Sequence, residues 1–182
     1  MKLLLASQSP RRKELLSALG YDFEVVQIDC EETYPENLNV EDIAGFLSEQ
    51  KAQAFRLLQE DEVLLAADTI VAIDDEVLGK PKNADEARQM LQKLSGRVHQ
   101  VYTAISVRTS GAITTRVDVA SVEFNPLSNE DINFYITTFK PFDKAGAYGI
   151  QEWIGMAKIK KIEGSFYTIM GLPTHLVASL LE

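Results

Sequence analysis

Hydrophobic and polar positions along this chain follow two periods, which together predict an alternation of strands and helices. The apolar start at residues 1–6 and the nearly continuous apolar run EVLLAADTIVAI at 62–73 are typical of strands covered on both faces. Strict alternation over 98–109 and 112–124 predicts two antiparallel strands that pair as a hairpin around Ser110 and Gly111.

Helical periodicity and capping residues predict five helices. Ser9 suits the N-cap and Pro10 the first helical position of a helix that stops at Gly20. Further helices are predicted over 40–60, 84–94, 129–138 and 174–181. The first three of these open with paired capping residues, namely Asn39 with Asp42, Asn83 with Glu86 and Ser128 with Asp131.

Shorter segments complete the predicted sheet. A strand at 21–26, a short return strand within 74–81 and a second hairpin formed by 156–164 and 165–171 interleave with the helices. Because strands and helices alternate along the whole chain, we expect an α/β fold in which helices flank a mixed sheet, as a single domain over 1–182.

Composition narrows the classes of function. The 182 residues are 46% apolar and 25% charged, and the net charge of −9 argues against general affinity for nucleic acid or an anionic membrane. We expect no signal sequence or membrane span, since the apolar start is too short for either. The single cysteine, Cys30, excludes an internal disulfide and favours a reducing, cytoplasmic location.

Two arginines occupy the end of the first predicted helix where the helix dipole is positive. Arg11 and Arg12 each cost roughly 0.3–1 kcal/mol there unless an anion binds them. One interpretation is a solvated turn in which Arg11 pairs with Glu14. In the functional interpretation the hydroxyls of Ser7 and Ser9, the N–H groups of the first turn and both guanidiniums converge on a phosphate.

Asp68 is anomalous because every neighbour in VLLAADTIVAI except Thr69 is apolar. An unpaired carboxylate in such a strand is costly or takes up a proton. In a purely structural role, backbone amides or an internal lysine would satisfy it. In a functional role, Asp68 acts as a general base towards water or binds a metal ion that activates the water.

Further polar groups come from a helix and two loops. Lys51 projects within the apolar face of the helix predicted over 40–60, where a lysine that snorkels to solvent is the simpler interpretation. Lys80 lies on a tight loop that follows the Asp68 strand. In KAGAYGIQ at 144–151, small residues let the backbone approach a ligand and the Gln151 amide is suited to reading a base edge. Taken by itself, this segment is more simply explained as an ordinary turn.

Metal ligands and nucleophiles are sparse. Glu31 and Glu32 lie in an acidic loop, where they either help to bind a divalent ion or are simply solvated. His99 and His175 form no metal-spaced pair. Cys30 lies beside two glutamates, which disfavour its thiolate.

Seven short motifs, in order, resemble the Maf family of nucleoside triphosphate pyrophosphatases. They are ASQSPRRKELL (6–16), EE (31–32), EQKA (49–52), AADTIV (66–71), LGKP (78–81), DKAGAYGIQ (143–151) and GSFYTIMGLP (164–173). The resemblance spans essentially the whole chain, and no motif position departs from the family pattern.

The resemblance implies hydrolysis of a nucleoside triphosphate to its monophosphate and pyrophosphate, with Mg²⁺ or Mn²⁺ as the divalent cation. It implies that Asp68 is the proton acceptor, and the residues that select the base are Arg11, Thr69 and Gln151. SPRR, ADT and GIQ are similar to the subgroup that acts on dTTP and UTP, with modified pyrimidine nucleotides as further candidates. The role expected of such an enzyme is house-cleaning, which prevents misincorporation.

The same resemblance implies an elongated, ITPase-like α/β fold, often in a homodimer, with the active site in a cleft between two lobes. Four cations and one metal ion are expected to neutralise the roughly four negative charges of the triphosphate. The cations are Arg11, Arg12, Lys51 and Lys80, and Glu32 is the candidate metal ligand. Thr69 and Gln151 are expected to bind the pyrimidine edge.

Two other functions remain open on the sequence. One is a non-catalytic regulator, linked to cell division arrest, that senses a nucleotide without cleaving it. The other is a binding module for a phosphorylated protein or sugar.

Overall fold

The computed structural model describes residues 1–182, which include seven strands and seven α-helices. The strands are β1 (Lys2–Ala6), β2 (Phe23–Val25), β3 (Glu62–Ile73), β4 (Glu76–Leu78), β5 (Val98–Arg108), β6 (Ile113–Phe124) and β7 (Ile159–Glu163). The helices are α1 (Pro10–Ala18), α2 (Val40–Ala54), α3 (Ala84–Leu94), α4 (Asn129–Phe139), α5 (Trp153–Lys158), α6 (Phe166–Met170) and α7 (Thr174–Leu181). None of these helices combines the length and the apolar character that a bilayer crossing needs.

All seven strands belong to one sheet with the order β2-β1-β3-β5-β6-β7, and β4 pairs with β3. β1 runs parallel to β2 and to β3, in a register that places Leu4 beside Leu64 and Ala6 beside Ala66. β4 is antiparallel to β3, and β7 is antiparallel to β6. The predicted α/β fold with a mixed sheet is therefore confirmed.

The chain divides into two compact units. The first consists of 1–69, 103–118 and 171–182, and a cluster in its core joins α2 to alternate residues of β1 and β3: Leu4, Ala6, Ala52, Leu64 and Ala66. The second consists of 70–102 and 119–170, and its large buried side chains include Leu91, Leu94, Phe124, Ile132 and Tyr135. A single domain over 1–182 stays a prediction.

Capping residues mark three of the helix starts correctly. Ser128 and Asp131 form a complete capping box at α4, with both reciprocal hydrogen bonds present. At α3, Asn83 accepts the Glu86 N–H at 2.9 Å, but the Glu86 carboxylate does not return the bond to Asn83. Asn39 occupies the N-cap of α2 and makes no side-chain cap bond. The residue types therefore located the helix starts better than they predicted the bonds.

The helix predicted over 40–60 ends at Ala54, because an arginine from β5 binds the carbonyl groups at its end. Arg108 donates through Nη1 to the carbonyls of Ala52 at 2.7 Å and Phe55 at 2.9 Å. Phe55 is extended, so the chain leaves the helix there. Side-chain donors that satisfy the last carbonyls are a common way for a helix to end.

The second predicted hairpin is wrong in its second half. β7 pairs with β6, but residues 166–170 form the helix α6. Gly164, at a φ of +109°, turns the chain after β7, and the hydroxyl of Ser165 accepts the Tyr167 N–H at 3.3 Å. An apolar segment of only five residues does not distinguish a strand from one or two helical turns.

His99 is a fully buried polar side chain in the second unit. Its ring stacks on Phe124 with 5.6 Å between centroids, its Nε2 lies 2.6 Å from the Tyr148 hydroxyl, and its Nδ1 has no hydrogen-bond partner. Burial lowers the pKa of His99 from its ordinary 6.5 to about 4, because the charged ring is disfavoured away from water. The folded protein therefore keeps this ring neutral.

We expect the free energy of unfolding to decrease as the pH falls from about 6.5 to about 4. Over this interval the unfolded chain binds a proton at His99 that the folded protein does not bind, so acid favours unfolding. The full loss is on the order of 3 kcal/mol. Urea denaturation at pH 7 and pH 4.5 checks it, because His99→Gln should lose less stability between these values than the wild type. Equal losses would contradict the prediction.

Candidate active site

A buried acid meets a lysine in the first unit. Asp68 lies on β3, just beyond the point where pairing with β1 ends at Ala66, and only 7% of its surface is exposed. The ammonium of Lys51, from α2, contacts the Asp68 carboxylate directly. A hydrogen-bonded opposite charge is what makes a carboxylate tolerable among apolar residues. Lys51 therefore serves this acid instead of snorkelling to solvent.

A second carboxylate shares the same ammonium. Glu32 Oε1 lies 3.0 Å from Lys51 Nζ, and the Glu32 side chain is 52% exposed. The chain contains no group of three or more His, Cys, Asp or Glu side chains placed to hold a metal ion. The site thus offers two acidic side chains, Asp68 and Glu32, around one positive charge.

Arg12 is hydrogen-bonded inside the first unit. Its Nε donates to the Gly171 carbonyl at 2.8 Å, and its Nη1 donates to the Ala67 carbonyl at 2.9 Å and to Ser7 Oγ at 3.3 Å. Its Nη2 donates to Thr69 Oγ1 at 3.1 Å. Four of the five N–H groups of the guanidinium are therefore committed within the protein. Arg12 therefore links α1, which carries it, to β3 and to Gly171, which lies between α6 and α7.

Two residues that flank Asp68 in sequence are thus held by one guanidinium, namely Ala67 and Thr69. The Thr69 hydroxyl also lies 3.0 Å from the Thr103 hydroxyl, on β5. Burial lowers the pKa of Arg12, and the charge of Asp68 opposes this shift in part. The backbone around Asp68 is therefore fixed on both sides by polar contacts.

The start of α1 has the backbone arrangement of a predicted anion site. Ser9 is the N-cap and makes no side-chain cap bond, and its own N–H lies 3.3 Å from Ser7 Oγ. Pro10 occupies the first helical position, and the first turn contains no acidic residue. Arg11 is partly buried in this turn. Ser7, Ser9 and Arg11 therefore lie on the segment that also carries Arg12.

The second unit contains the other two predicted site residues. Lys80 is exposed on the loop after β4, where the Gly146 N–H donates to the carbonyl of Gly79 at 3.1 Å. Gln151 is exposed in the turn before α5. A Cβ at Gly146 would lie 2.9 Å from Val71 Cγ1, and φ there is +69°, so a larger residue is excluded. This glycine of KAGAYGIQ therefore serves close packing of the backbone.

Sequence reasoning missed several polar residues around these positions. Thr103 gave no signal, since a threonine is ordinary in an alternating strand. Gly171 lies in the motif GSFYTIMGLP, but only the fold shows that its carbonyl accepts a hydrogen bond from Arg12. In the second unit, the Tyr135 hydroxyl contacts the Glu152 carboxylate, and nothing in its helix pattern distinguishes it from a core tyrosine.

The chain matches known proteins along almost its whole length. The model of a family described as Maf-like protein matches residues 2–182. A relative from Phocaeicola vulgatus, named dTTP/UTP pyrophosphatase, is 51% identical and the match covers 100% of this chain and 95% of that protein. A relative from Flavobacterium johnsoniae with the same name is 48% identical over 99% of this chain and 93% of that protein. The solved structure of the Staphylococcus aureus Ham1 protein is 18% identical with a TM-score of 0.47, over 68% of this chain and 72% of that one.

We expect Arg12→Lys to lower the free energy of unfolding by about 2–4 kcal/mol, because one ammonium cannot reach the carbonyls of both Ala67 and Gly171. Urea denaturation measures the change. Arg116→Lys is the matched control, since Arg116 is exposed and bonds only the adjacent Thr115 carbonyl among the contacts described. The control should stay within about 0.5 kcal/mol of the wild type. Equal effects at both positions would contradict the internal role of Arg12.

Proposed function

This chain belongs to the Maf-like protein family, and on that premise we propose that it hydrolyses dTTP and UTP to the nucleoside monophosphate and pyrophosphate. The observation that carries the proposal is the contact of the buried Asp68 with Lys51, beside Glu32. The substrates are those in the names of relatives 51% and 48% identical to the chain.

The reaction proposed for Asp68 is a hydrolysis at the α-phosphorus. Water attacks this atom, the bond to the oxygen that bridges the α- and β-phosphates breaks, and pyrophosphate leaves with that oxygen. Asp68 accepts the proton that the water gives up, as a general base. Lys51 donates to the same carboxylate and holds it in one orientation, which keeps the base aligned with the water.

The triphosphate brings about four negative charges, which the protein has to neutralise. The proposed phosphate ligands are Arg11, Lys51, Lys80, Ser7 and Ser9. Arg12 has one N–H left beyond its four internal bonds, so its main part is to hold Thr69 and the backbone beside Asp68. Hydrogen-bond donors held in place, such as the proposed phosphate ligands, stabilise the charge that develops on the leaving pyrophosphate.

A divalent cation fits the Glu32 carboxylate of this site. Glu32 would hold Mg²⁺ or Mn²⁺ through a carboxylate oxygen, and Mg²⁺ commonly binds one or two carboxylates together with water and substrate phosphates. The fit is supported by the exposure of the Glu32 side chain, which is 52% exposed and therefore open to a cation that also binds the substrate phosphates. When bound, the cation supplies neutralisation of phosphate charge.

Selection of the base is proposed for Arg11, Thr69 and Gln151. A site built to hydrogen-bond one base leaves its own polar groups unpaired when another base binds, and this penalty produces discrimination. The Thr69 hydroxyl is oriented by Arg12 and Thr103, so it presents a defined direction to a ligand.

We further infer a cytoplasmic setting and a house-cleaning role that removes nucleotides before they are misincorporated. The single cysteine, Cys30, which is free, supports a reducing compartment. A homodimer is proposed from the family resemblance alone.

Purified protein is expected to release pyrophosphate from dTTP and UTP faster than from dCTP and GTP when Mg²⁺ or Mn²⁺ is present. Anion-exchange separation of the products distinguishes pyrophosphate release from stepwise loss of phosphate. Stepwise loss would refute the reaction. No turnover of any of the four nucleotides would favour the nucleotide-sensing regulator.

Asp68→Asn is expected to lower kcat by about 10²–10⁴, because the amide cannot accept the proton from water. Equilibrium titration with UTP should show binding within a few fold of the wild type. Asp75→Asn is the matched control, since Asp75 lies in an exposed turn at a φ of +61° that asparagine also tolerates. Wild-type kcat in Asp68→Asn would exclude Asp68 as the base.

A further inference from the structure

The turn that carries Gln151 is closed at both ends by hydrogen bonds. The Glu152 N–H donates to the Gly149 carbonyl at 3.1 Å, so residues 149–152 form a β-turn with Gln151 at its third position. Gln151 is exposed, whereas Ile150 beside it is buried. The side chain of Gln151 therefore projects from a short, anchored piece of backbone.

One buried side chain holds both ends of this turn. The hydroxyl of Tyr135, on α4, accepts the Gly149 N–H at 2.9 Å and donates to Glu152 Oε2. Tyr135 is fully buried. Burial, the contact with Glu152 and its charge raise the pKa of Tyr135, while the Gly149 N–H opposes the shift, so the hydroxyl keeps its proton for the carboxylate at neutral pH.

A lysine completes the contacts of the Glu152 carboxylate. Lys144 Nζ lies 3.2 Å from Glu152 Oε1 and 2.8 Å from Asp143 Oδ1, and the Lys144 side chain is only 10% exposed. The two oxygens of Glu152 are thus held by different residues, Tyr135 and Lys144. A carboxylate bound at both oxygens has no freedom to rotate.

Two glycines show how closely this cluster packs against the turn. A Cβ at Gly149 would lie 3.0 Å from both Lys144 Cε and Glu152 Cδ. A Cβ at Gly155, in α5, would lie 1.7 Å from the Ile150 carbonyl oxygen. A larger residue at 155 would push the turn away from α5, whereas one at 149 would displace the side chains of Lys144 and Glu152.

We propose that Tyr135 is a positioning residue that fixes the turn 149–152 and so sets where the Gln151 carboxamide meets the pyrimidine of the nucleotide. Glu152 and Lys144 act with it. The inference rests on the proposed function, in which Gln151 contacts the base. Within the turn only Gln151 is exposed, so the network of Tyr135, Glu152 and Lys144 supports the backbone from which this one side chain projects. Polar networks in which every member is satisfied are a means of holding a functional group rigidly.

The physical reason is preorganisation. A glutamine on a mobile turn would have to be ordered when the pyrimidine nucleotide binds, and the entropy lost in this ordering would weaken that binding. A purine that does not pair with the glutamine would not pay this cost, so the preference for the pyrimidine would fall. A glutamine held in place pairs with the pyrimidine edge at little cost and leaves unpaired groups when a purine binds. Tyr135 therefore acts on base selection without touching the base.

The test is a double-mutant cycle of Tyr135→Phe and Gln151→Ala, read as the ratio of kcat/KM for UTP to kcat/KM for GTP. Tyr135→Phe is expected to raise KM for UTP about tenfold, to change kcat less than threefold and to lower the ratio about tenfold, by loss of one oriented hydrogen bond. In the Gln151→Ala background the same substitution should change the ratio less than twofold.

Two further variants separate positioning from general destabilisation. Tyr167→Phe removes the hydroxyl of a half-exposed tyrosine on α6 and should leave KM, kcat and the ratio unchanged. Glu152→Gln keeps an acceptor for Tyr135 but loses the charge that Lys144 binds, and it should give an intermediate fall in the ratio. If Tyr135→Phe fails to fold, Glu152→Gln in both backgrounds carries the cycle.

The outcomes distinguish the inference from the function on which it rests. If Gln151→Ala leaves the ratio unchanged, the proposed base contact is wrong and the inference is overturned with it. If Gln151→Ala lowers the ratio but Tyr135→Phe does not, or lowers it equally with and without Gln151, the inference alone is overturned. A fall in the ratio that disappears without Gln151 supports both.

Discussion

A carboxylate buried in a β-strand needs hydrogen-bond donors or an opposite charge next to it, and the contact between Asp68 and Lys51 meets this requirement. Removal of Lys51 would leave the buried Asp68 carboxylate without the opposite charge that contacts it, which typically costs several kcal/mol. The contact also fixes α2 against β3, and it is supported one turn away, where the Ser48 hydroxyl donates to the Ala66 carbonyl at 3.3 Å. The acid proposed for catalysis is therefore held by the same interaction that makes its burial tolerable.

The two arginines at the start of α1 illustrate how a locally unfavourable choice is compensated. From the sequence, cations at a positive helix end suggest an anion that offsets their cost. For Arg12 the compensation is largely internal, because its guanidinium binds two backbone carbonyls and two hydroxyls in the first unit. The two neighbouring arginines thus have different roles. Arg12 supports the backbone and Arg11 is proposed to bind phosphate, and this difference is visible only in the folded structure.

Prediction from the sequence succeeded where the deciding interactions are local. The apolar run that forms β3, the capping box at Ser128 and the anomaly of Asp68 are all visible within a few residues. It failed at the end of α2, where Arg108 of the distant β5 binds the last carbonyls. It also failed at 166–170, where five apolar residues are too few to distinguish a strand from a helix. The bond from Arg12 to Gly171 spans 159 residues, and the bonds of Tyr135 join two segments with no shared motif. Family resemblance named Thr69 and Gln151, but it did not indicate which residues hold them.

Gly155 has a consequence for how such proteins diversify. Because the Ile150 carbonyl occupies the space that a side chain would need, position 155 tolerates no larger residue as long as α5 lies against the turn. Gln151, exposed nearby, meets no such restriction. Under the base contact proposed for Gln151, exchange of this one outward side chain alters part of the base contact on an unaltered backbone, and lineages with different preferences should retain the glycine.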